Sequence, residues 1–201
     1  MGERKPLPNG SLALLMGMQA AFFTLLGFIA WSLSGRSASR FVEITPTALL
    51  SGFGLGLGLI LVGALVQWLA PHLFERVARL QHGTAKLLGG RQDLKMFAWI
   101  SLCAGIGEEA LFRGGLQTLL ADYLGDTAAV LLAAAAFALV HFAKPPIAAV
   151  IFALGCLFGA VYAATGSLAT VMVGHFVYDV WALRALFETL DRLHPESPTI
   201  H

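Results

Sequence analysis

Apolar residues in this chain stand in long blocks, without the alternation of a half-buried strand. A helix needs about 20 apolar residues to cross a bilayer core of about 30 Å. Blocks that reach or approach this length cover about residues 12–33, 47–70, 96–120, 128–142, 147–164 and 168–190. The pattern predicts an all-α, polytopic membrane helical bundle of about six transmembrane helices.

Between the second and third blocks, segment 71–95 has a different, amphipathic pattern. Leucine and valine residues alternate there with basic residues and with His72 and His82. An amphipathic, basic helix of this kind lies in the plane of the membrane surface, against anionic lipid. We therefore expect a cytoplasmic interfacial helix, and the pattern favours a simple connector over a regulatory or substrate-docking element.

Composition supports membrane insertion and excludes other classes of protein. Apolar residues make up 57% of the chain and charged residues 12%, and the mean hydropathy is +0.75. These values exclude a soluble globule and a disordered chain. The net charge of +1 gives no general attraction to nucleic acid. Cys103 and Cys156 both lie in apolar blocks, so neither a disulfide framework nor a CxxC metal motif is predicted.

The distribution of basic residues predicts the orientation of the bundle. With six spans, only Arg36 and Arg40 fall on one side, and most other basic residues fall on the opposite side (Arg4, Lys5, Arg76, Arg79, Lys86, Arg91, Lys95, Lys144 and Arg192). The positive-inside rule then places both termini and segment 71–95 in the cytoplasm. The first apolar block is too long for a signal peptide and is expected to be a retained anchor.

Small residues are spaced for close helix contacts within the membrane. Gly52 and Gly56, Gly54 and Gly58, and Gly155 and Gly159 each form a GxxxG spacing. In lipid, this spacing lets helix backbones approach closely. We expect these glycines to pack helices, not to bind phosphate.

Charged residues inside the third block violate the general pattern, because each charge within a span costs at least ~2.5 kcal/mol. Glu109 and Arg113 are four residues apart, so they face each other on a helix and can form a structural ion pair. Glu108 points about 100° away from Glu109. It therefore needs a partner from another helix.

Polar residues on two other spans could supply that partner. His141 ends the fourth block, and His175 and Asp179 lie four residues apart on the sixth. Each buried polar group needs a hydrogen bond to be tolerated. If these polar side chains formed hydrogen bonds with one another, the three helices would meet around one polar cavity.

Such a cavity would suit peptide hydrolysis. A carboxylate beside an imidazole can deprotonate a water molecule and return the proton to the leaving group. His175 could stabilise the tetrahedral oxyanion. Because a carboxylate is a poor hydrogen-bond donor to an oxyanion, we expect Asp179 to orient His175 or to be protonated itself.

Three ordered motifs resemble those of the CPBP membrane proteases, the CAAX prenyl endopeptidase and bacteriocin-processing family, also called Abi. They are Glu108-Glu109-x-x-x-Arg113, Phe137-x-x-x-His141 and His175-x-x-x-Asp179, and the resemblance covers about residues 96–190. It implies that Glu108 activates water with help from His141, while His175 and Asp179 hold the oxyanion. Glu109, Arg113 and Phe137 would support the site. Asp179 stands where the best-known members carry asparagine.

The resemblance also implies a division of the chain and an activity. We expect a two-span region with the interfacial segment at 1–95, a catalytic helical core at 96–190 and a polar tail at 191–201. The expected activity is that of an intramembrane endopeptidase acting on a membrane-associated protein or peptide precursor. A leader peptide or a C-terminal sorting signal fits the short chain at least as well as a prenylated CAAX tail. No oligomeric state is predicted.

Two alternatives stay open. In the first, Glu108, His141 and His175 bind zinc with a water in the fourth position. The chain has no HExxH pair, so a metal-free, cofactor-free glutamic mechanism is favoured. In the second, the protein is a transporter or scaffold without enzymatic activity, whose ionisable groups relay protons. The confinement of these groups to the second half of the chain favours the enzyme.

Overall fold

The computed structural model of the chain describes residues 9–88 and 93–194. The basic residues Arg4, Lys5 and Arg91 and the tail beyond 194 lie outside this part. The described residues form helices joined by short turns, with no strand among them. This confirms the predicted all-α helical bundle.

The helices occur in the order that the apolar blocks predict. Their bounds are α1 Asn9–Leu33, α2 Pro46–Leu69, α3 Pro71–Leu87, α4 Leu94–Glu109, α5 Thr118–Leu124, α6 Asp126–Val140, α7 Pro145–Thr165 and α8 Leu168–Leu193. A short 3-10 turn, Ala38–Arg40, lies between α1 and α2.

Several helices begin at a side chain that caps their first backbone N–H groups. Thr45 Oγ1 accepts from the backbone N–H of Ala48 at 3.1 Å, and Asp93 Oδ1 accepts from that of Met96 at 2.8 Å. Ser167 caps α8 in the same way. Each cap satisfies a donor that has no partner within its helix. The local sequence therefore determines where α2, α4 and α8 begin.

Three of the described helices are long and apolar enough to cross a membrane: α1, α2 and α7. The apolar helix α6 is shorter. Together with the composition, these helices identify a membrane protein. That about six helices span the membrane and that both termini lie in the cytoplasm remain predictions.

Residues Ala110–Gln117, in the middle of the third predicted span, form a π-helix that joins α4 to α5. The sequence predicted a helical span here, and the π turn within it was not predicted. The wider π turn lies where α1 crosses very closely: a Cβ added at Gly115 would come within 2.8 Å of the Gly27 Cα. Such π segments are rare and occur frequently at functional sites.

Helix α8 packs against α2 through glycines. A Cβ added at Gly52 would meet the Thr170 carbonyl oxygen at 2.6 Å, and one at Gly56 would meet Val177 at 2.6 Å. The predicted close contact at this GxxxG spacing is confirmed. The overlapping pair was predicted wrongly: Gly54 and Gly58 have open space beside them, because they lie on the other side of α2.

Helix α3 is amphipathic, as predicted for the connecting segment. Ala78 and Ala85 on its buried side form a small cluster with Phe97 of α4 and with Phe187 and Leu190 of α8. On the opposite side, exposed basic residues form a stripe, Arg76, Arg79 and Lys86. The helix therefore caps one end of α8 and presents positive charge outward.

Candidate active site

The predicted ion pair between Glu109 and Arg113 is present and fully buried. Glu109 is the last residue of α4, and Arg113 lies in the π-helix one turn later. The guanidinium Nη1 is 3.2 Å from the Glu109 Oε1 atom, and the two side chains are 0% and 1% exposed. Charges so deeply buried are tolerated only when they are paired.

The same Glu109 oxygen also accepts a hydrogen bond from His175 Nδ1, at 2.8 Å. Since a carboxylate can only accept, the proton of the neutral imidazole lies on Nδ1. Asp179 was expected either to orient His175 or to be protonated itself, and the acceptor at Nδ1 is Glu109 instead. Glu109 orients the ring because α4 packs against α8 at this level, a contact between distant residues that helical spacing does not reveal.

Glu108 and His175 approach each other across the same helix contact. The second ring nitrogen, Nε2, lies 3.9 Å from the Glu108 Oε2 atom. This separation is too long for a hydrogen bond, and a polar gap of this size is often bridged by water. Glu108 thus has the partner on another helix that its position required.

His141 is the first residue after α6, in the turn that leads to α7. Its Nδ1 donates to the backbone carbonyl of Phe137 at 2.6 Å, which leaves Nε2 free to act on a ligand. The Phe137 ring contacts the imidazoles of both His141 and His175, and His141 itself is exposed. The structure therefore brings Glu108, His141, His175 and Asp179 into one region.

Asp179 lies one turn beyond His175 on α8 and is half-buried. Its carboxylate interacts with the charges of His175 and His141 and lies beside Ser101 of α4. The Ser101 hydroxyl is buried, and it makes no hydrogen bond of good geometry within the described part of the chain. Asp179 thus borders the site without fixing either imidazole.

Aromatic rings pack against the polar cluster. Phe137 lies edge-on to both imidazoles, with centroid distances of 4.7 Å to His141 and 6.4 Å to His175. The Arg113 guanidinium lies 4.6 Å from the Phe137 ring centroid. The support role predicted for Phe137 is consistent with this position at the centre of the cluster.

A metal site would need three or more ligands that converge. Among residues 9–88 and 93–194, no group of three His, Cys, Asp or Glu side chains is arranged to hold a metal ion. This holds for Glu108, His141 and His175, the set that the zinc alternative requires. The side chains as arranged do not form a ligand set.

An open cavity of about 520 Å³ lies beside the turn between α6 and α7. It is lined by apolar residues around His141: Ala138, Leu139, Val140, Phe142, Ala143 and Ala148. Phe142 at the tip of this turn is 94% exposed. The residues that line this cavity flank His141 in the sequence, and the lining itself includes neither His141 nor Glu108.

Two residues near the cluster were not predicted from the sequence. Phe158 of α7 stacks on the His175 ring, and Ser101 lies beside Asp179. A phenylalanine in an apolar span looks the same whether it faces lipid or a histidine. The isolated polar Ser101 was a visible signal, because it interrupts the apolar run of α4.

Comparison with known proteins places the site in a family. Residues 90–181 match the family model described as type II CAAX prenyl endopeptidase Rce1-like, and the matched range contains all four proposed catalytic residues. This segment is similar to that family. The resemblance predicted from the three motifs is confirmed, and with it the enzyme class, a membrane endopeptidase of the CAAX type in general.

One relative matches most of the chain. The uncharacterized protein YpbD of Bacillus subtilis (strain 168) is 29% identical over 147 residues, which are 70% of this chain and 71% of YpbD. No solved structure matches the chain at a significant level.

Proposed function

We propose that this protein hydrolyses a peptide bond in a membrane-associated protein or peptide precursor, using a water molecule activated by Glu108. The observation that carries the proposal is the 3.9 Å approach of Glu108 Oε2 and His175 Nε2, with His175 Nδ1 held by Glu109. A carboxylate and an imidazole so placed can share one water molecule.

In the proposed reaction, Glu108 accepts a proton as the water oxygen attacks the carbonyl carbon of the scissile bond. His141 Nε2 helps to orient that water, because its Nδ1–H is committed to the Phe137 carbonyl. The carbonyl oxygen becomes an oxyanion. The proton on Glu108 then passes to the leaving nitrogen as the carbon–nitrogen bond breaks, giving a carboxylic acid and an amine.

His175 is assigned to the oxyanion. Its Nε2 can donate a hydrogen bond only when the ring is an imidazolium, and the Glu109 carboxylate on Nδ1 stabilises that charged form. A buried acid plays the same part for the histidine of a serine protease triad. Glu109 therefore acts on the reaction through His175, beyond its ion pair with Arg113.

Asp179 is assigned a place at the edge of the oxyanion site. As a carboxylate it can only accept, so it contributes a hydrogen bond there only in its protonated form. Its position beside Ser101 and one turn from His175 supports this assignment.

A zinc-dependent reaction with the same residues is the second candidate. One observation favours it: His141 and His175 each donate Nδ1–H to a fixed acceptor, a pattern typical of metal-ligating histidines. The described side chains do not converge as a ligand set, so zinc binding would require them to move. Metal analysis of active, purified protein separates the two, and stoichiometric zinc would contradict the glutamic mechanism.

The surroundings of the site support a substrate that approaches from the membrane. The cavity formed by residues that flank His141 in the sequence is lined by apolar side chains, which suits an apolar segment of a substrate. We propose that 96–190 is the catalytic core of a multi-pass protein of the bacterial inner membrane with cytoplasmic termini. The exposed basic stripe of α3 supports this orientation.

The test compares the membrane and secreted proteomes of cells that carry wild-type protein, Glu108→Gln or the control Glu188→Gln. Glu188 is an exposed glutamate on α8, paired with Arg184. Precursors should accumulate with Glu108→Gln only. Purified Glu108→Gln should then cleave the identified substrate about 10²- to 10⁴-fold more slowly than wild type.

His141→Ala should lose activity in the same way while the folded protein stays in the membrane. Cleavage at the wild-type rate by folded Glu108→Gln would overturn the assignment of Glu108. Precursors that accumulate equally with Glu188→Gln would show that the loss is unrelated to the site.

A further inference from the structure

We propose that Phe158 of α7 is a positioning residue that holds the His175 imidazole in its working orientation, an inference that rests on the proposed function. The two rings are stacked, with centroids 5.2 Å apart and an interplanar angle of 17°. Phe158 is 2% exposed, so the stack is fully enclosed by protein.

The stack supplies a restraint that the hydrogen bond to Glu109 lacks. That bond fixes one atom, Nδ1, and leaves the ring free to rock about it. Rocking would move Nε2 toward or away from Glu108. A flat aromatic ring against one face of the imidazole opposes this motion, while Phe137 meets the same imidazole edge-on at 84°.

Two hydrogen bonds from the π-helix to α7 fix the level of Phe158 relative to Glu109. Arg113 Nη2 donates to the Gly155 carbonyl at 3.0 Å, and Gln117 Nε2 donates to the Gly159 carbonyl at 2.9 Å. Phe158 lies between these two positions. A sliding movement of α7 that displaced the ring would break both bonds, and each would leave a buried polar group without a partner.

The glycines of α7 make this arrangement possible. A Cβ added at Gly159 would come within 2.8 Å of the Gln117 Oε1 atom, so a larger residue would push the glutamine off the carbonyl. The sequence predicted that Gly155 and Gly159 allow close helix contact. Their contact also exposes two backbone carbonyls to side chains of the neighbouring helix.

Arg113 links the restraint to the buried ion pair. Its guanidinium pairs with Glu109 and lies 5.8 Å from the Phe158 ring centroid and 4.6 Å from that of Phe137. Arg113 therefore pairs with Glu109 and also packs against Phe158, the ring that stacks on His175. Hydrogen bond, ion pair and stack form one unit around the imidazole.

The experiment compares Phe158→Leu with Phe152→Leu, the same substitution at a half-buried position on the same helix. The first readout is the NMR spectrum of labelled histidine in detergent micelles, with the His175 signal assigned by its loss in His175→Gln. The stacked ring shifts the His175 ring protons upfield in wild type. We expect this shift to be lost in Phe158→Leu and kept in Phe152→Leu.

The second readout is cleavage of the substrate identified by the proteome comparison. A reacting group misplaced by about 1 Å costs about 10²-fold in rate. We expect kcat of Phe158→Leu to fall about 10- to 100-fold with KM nearly unchanged. Equal kcat values for folded Phe158→Leu and Phe152→Leu would overturn the proposal. An unshifted His175 signal in the wild-type protein would also overturn it, even if Phe158→Leu failed to fold.

The two readouts separate this inference from the proposed function. The NMR comparison needs no substrate, so it tests the stack even if Glu108→Gln remains active. Suppose that Phe158→Leu loses the ring shift and that Glu108→Gln stays active. The positioning role of Phe158 would then stand, and only the assignment of Glu108 would fail.

Discussion

Helix α8 makes two contacts of opposite character on two of its sides. Toward α2 it meets Gly52 and Gly56, whose missing side chains let Val173 and Val177 pack on the backbone. Toward α4 it carries His175 to within 2.8 Å of a buried carboxylate. One side depends on the absence of side chains, and the other depends on a specific pairing of charged and polar groups.

The two contacts should therefore fail in different ways. An apolar contact loses van der Waals packing in proportion to the atoms that are displaced. A buried polar contact leaves an uncompensated charge when either partner is removed, and this penalty is larger. Substitutions on the two sides of α8 can test this difference.

The largest loss of stability is expected from Arg113→Ala. The substitution leaves Glu109 charged and buried, so we expect the free energy of unfolding to fall by about 3–5 kcal/mol. The measurement is unfolding by SDS in mixed micelles. The control is Arg184→Ala, which breaks an ion pair of the same spacing on the exposed side of α8. Similar losses for the two variants would contradict the idea that burial makes the polar contact costly.

Replacing both members of the buried pair sharpens the same comparison. Glu109→Leu combined with Arg113→Met removes both charges and keeps most of the volume, so much of the lost stability should return. Turnover should stay low, because His175 then lacks its acceptor. A double variant with wild-type kcat would show that Glu109 contributes only to folding.

Gly56→Ala tests the apolar contact of α8. The added methyl group would lie 2.6 Å from the Val177 Cβ atom, and overpacking of this kind costs about 1–3 kcal/mol. The control is Gly58→Ala, which points into open space and should stabilise α2 by up to about 1 kcal/mol through its helix propensity. The two substitutions should thus have opposite signs in the same SDS titration. Equal effects would mean that α2 packs on α8 differently in the membrane.

The sequence identified both contacts but could not define either completely. Gly52 and Gly54 each begin a GxxxG spacing, and only the rotation of α2 decides which one faces α8. The pair of Glu109 with Arg113 followed from helical spacing, since both residues are local. The bond from His175 to Glu109 joins residues far apart in the chain, so no local pattern reveals it. The π-helix and the stack of Phe158 depend in the same way on how neighbouring helices fit.

A smaller effect is expected where α8 ends against α3. The rings of His82 and His194 lie 4.6 Å apart, and partial burial, the positive charge on protonated His194 and Lys86 together lower the pKa of His82. Because folding lowers the pKa of His82, its contribution to stability is fully present above the ordinary histidine pKa of about 6.5. Stability is then lost as the pH falls through the lowered pKa.

We therefore expect the thermal midpoint in detergent to be constant above about pH 6.5 and to fall as the pH drops below that value. His82→Gln should flatten this dependence. The matched control is His72→Gln, at an exposed position near the start of the same helix. An unchanged pH profile in His82→Gln would show that other groups control the response.

The smallest effect is expected at the exposed ion pair between Arg36 and Asp122, which has better geometry than the buried pair of Glu109 and Arg113. Both guanidinium nitrogens of Arg36 lie 2.7 Å from an Asp122 oxygen, but the side chains are 37% and 33% exposed. The bond from Arg36 lowers the pKa of Asp122, so its contribution is present above about pH 3.9 and is lost as the pH falls further.

A double-mutant cycle with Arg36→Ala and Asp122→Ala should give a coupling of about 0.2–1 kcal/mol, and added salt should reduce it. The loss caused by Arg113→Ala should not change with salt, because water and ions do not reach the buried pair. If the coupling of the exposed pair proved larger than the loss from Arg113→Ala, bond geometry would outweigh burial in this protein. The two contacts of α8 would then differ in how their side chains pack, and burial would add no cost to losing the polar one.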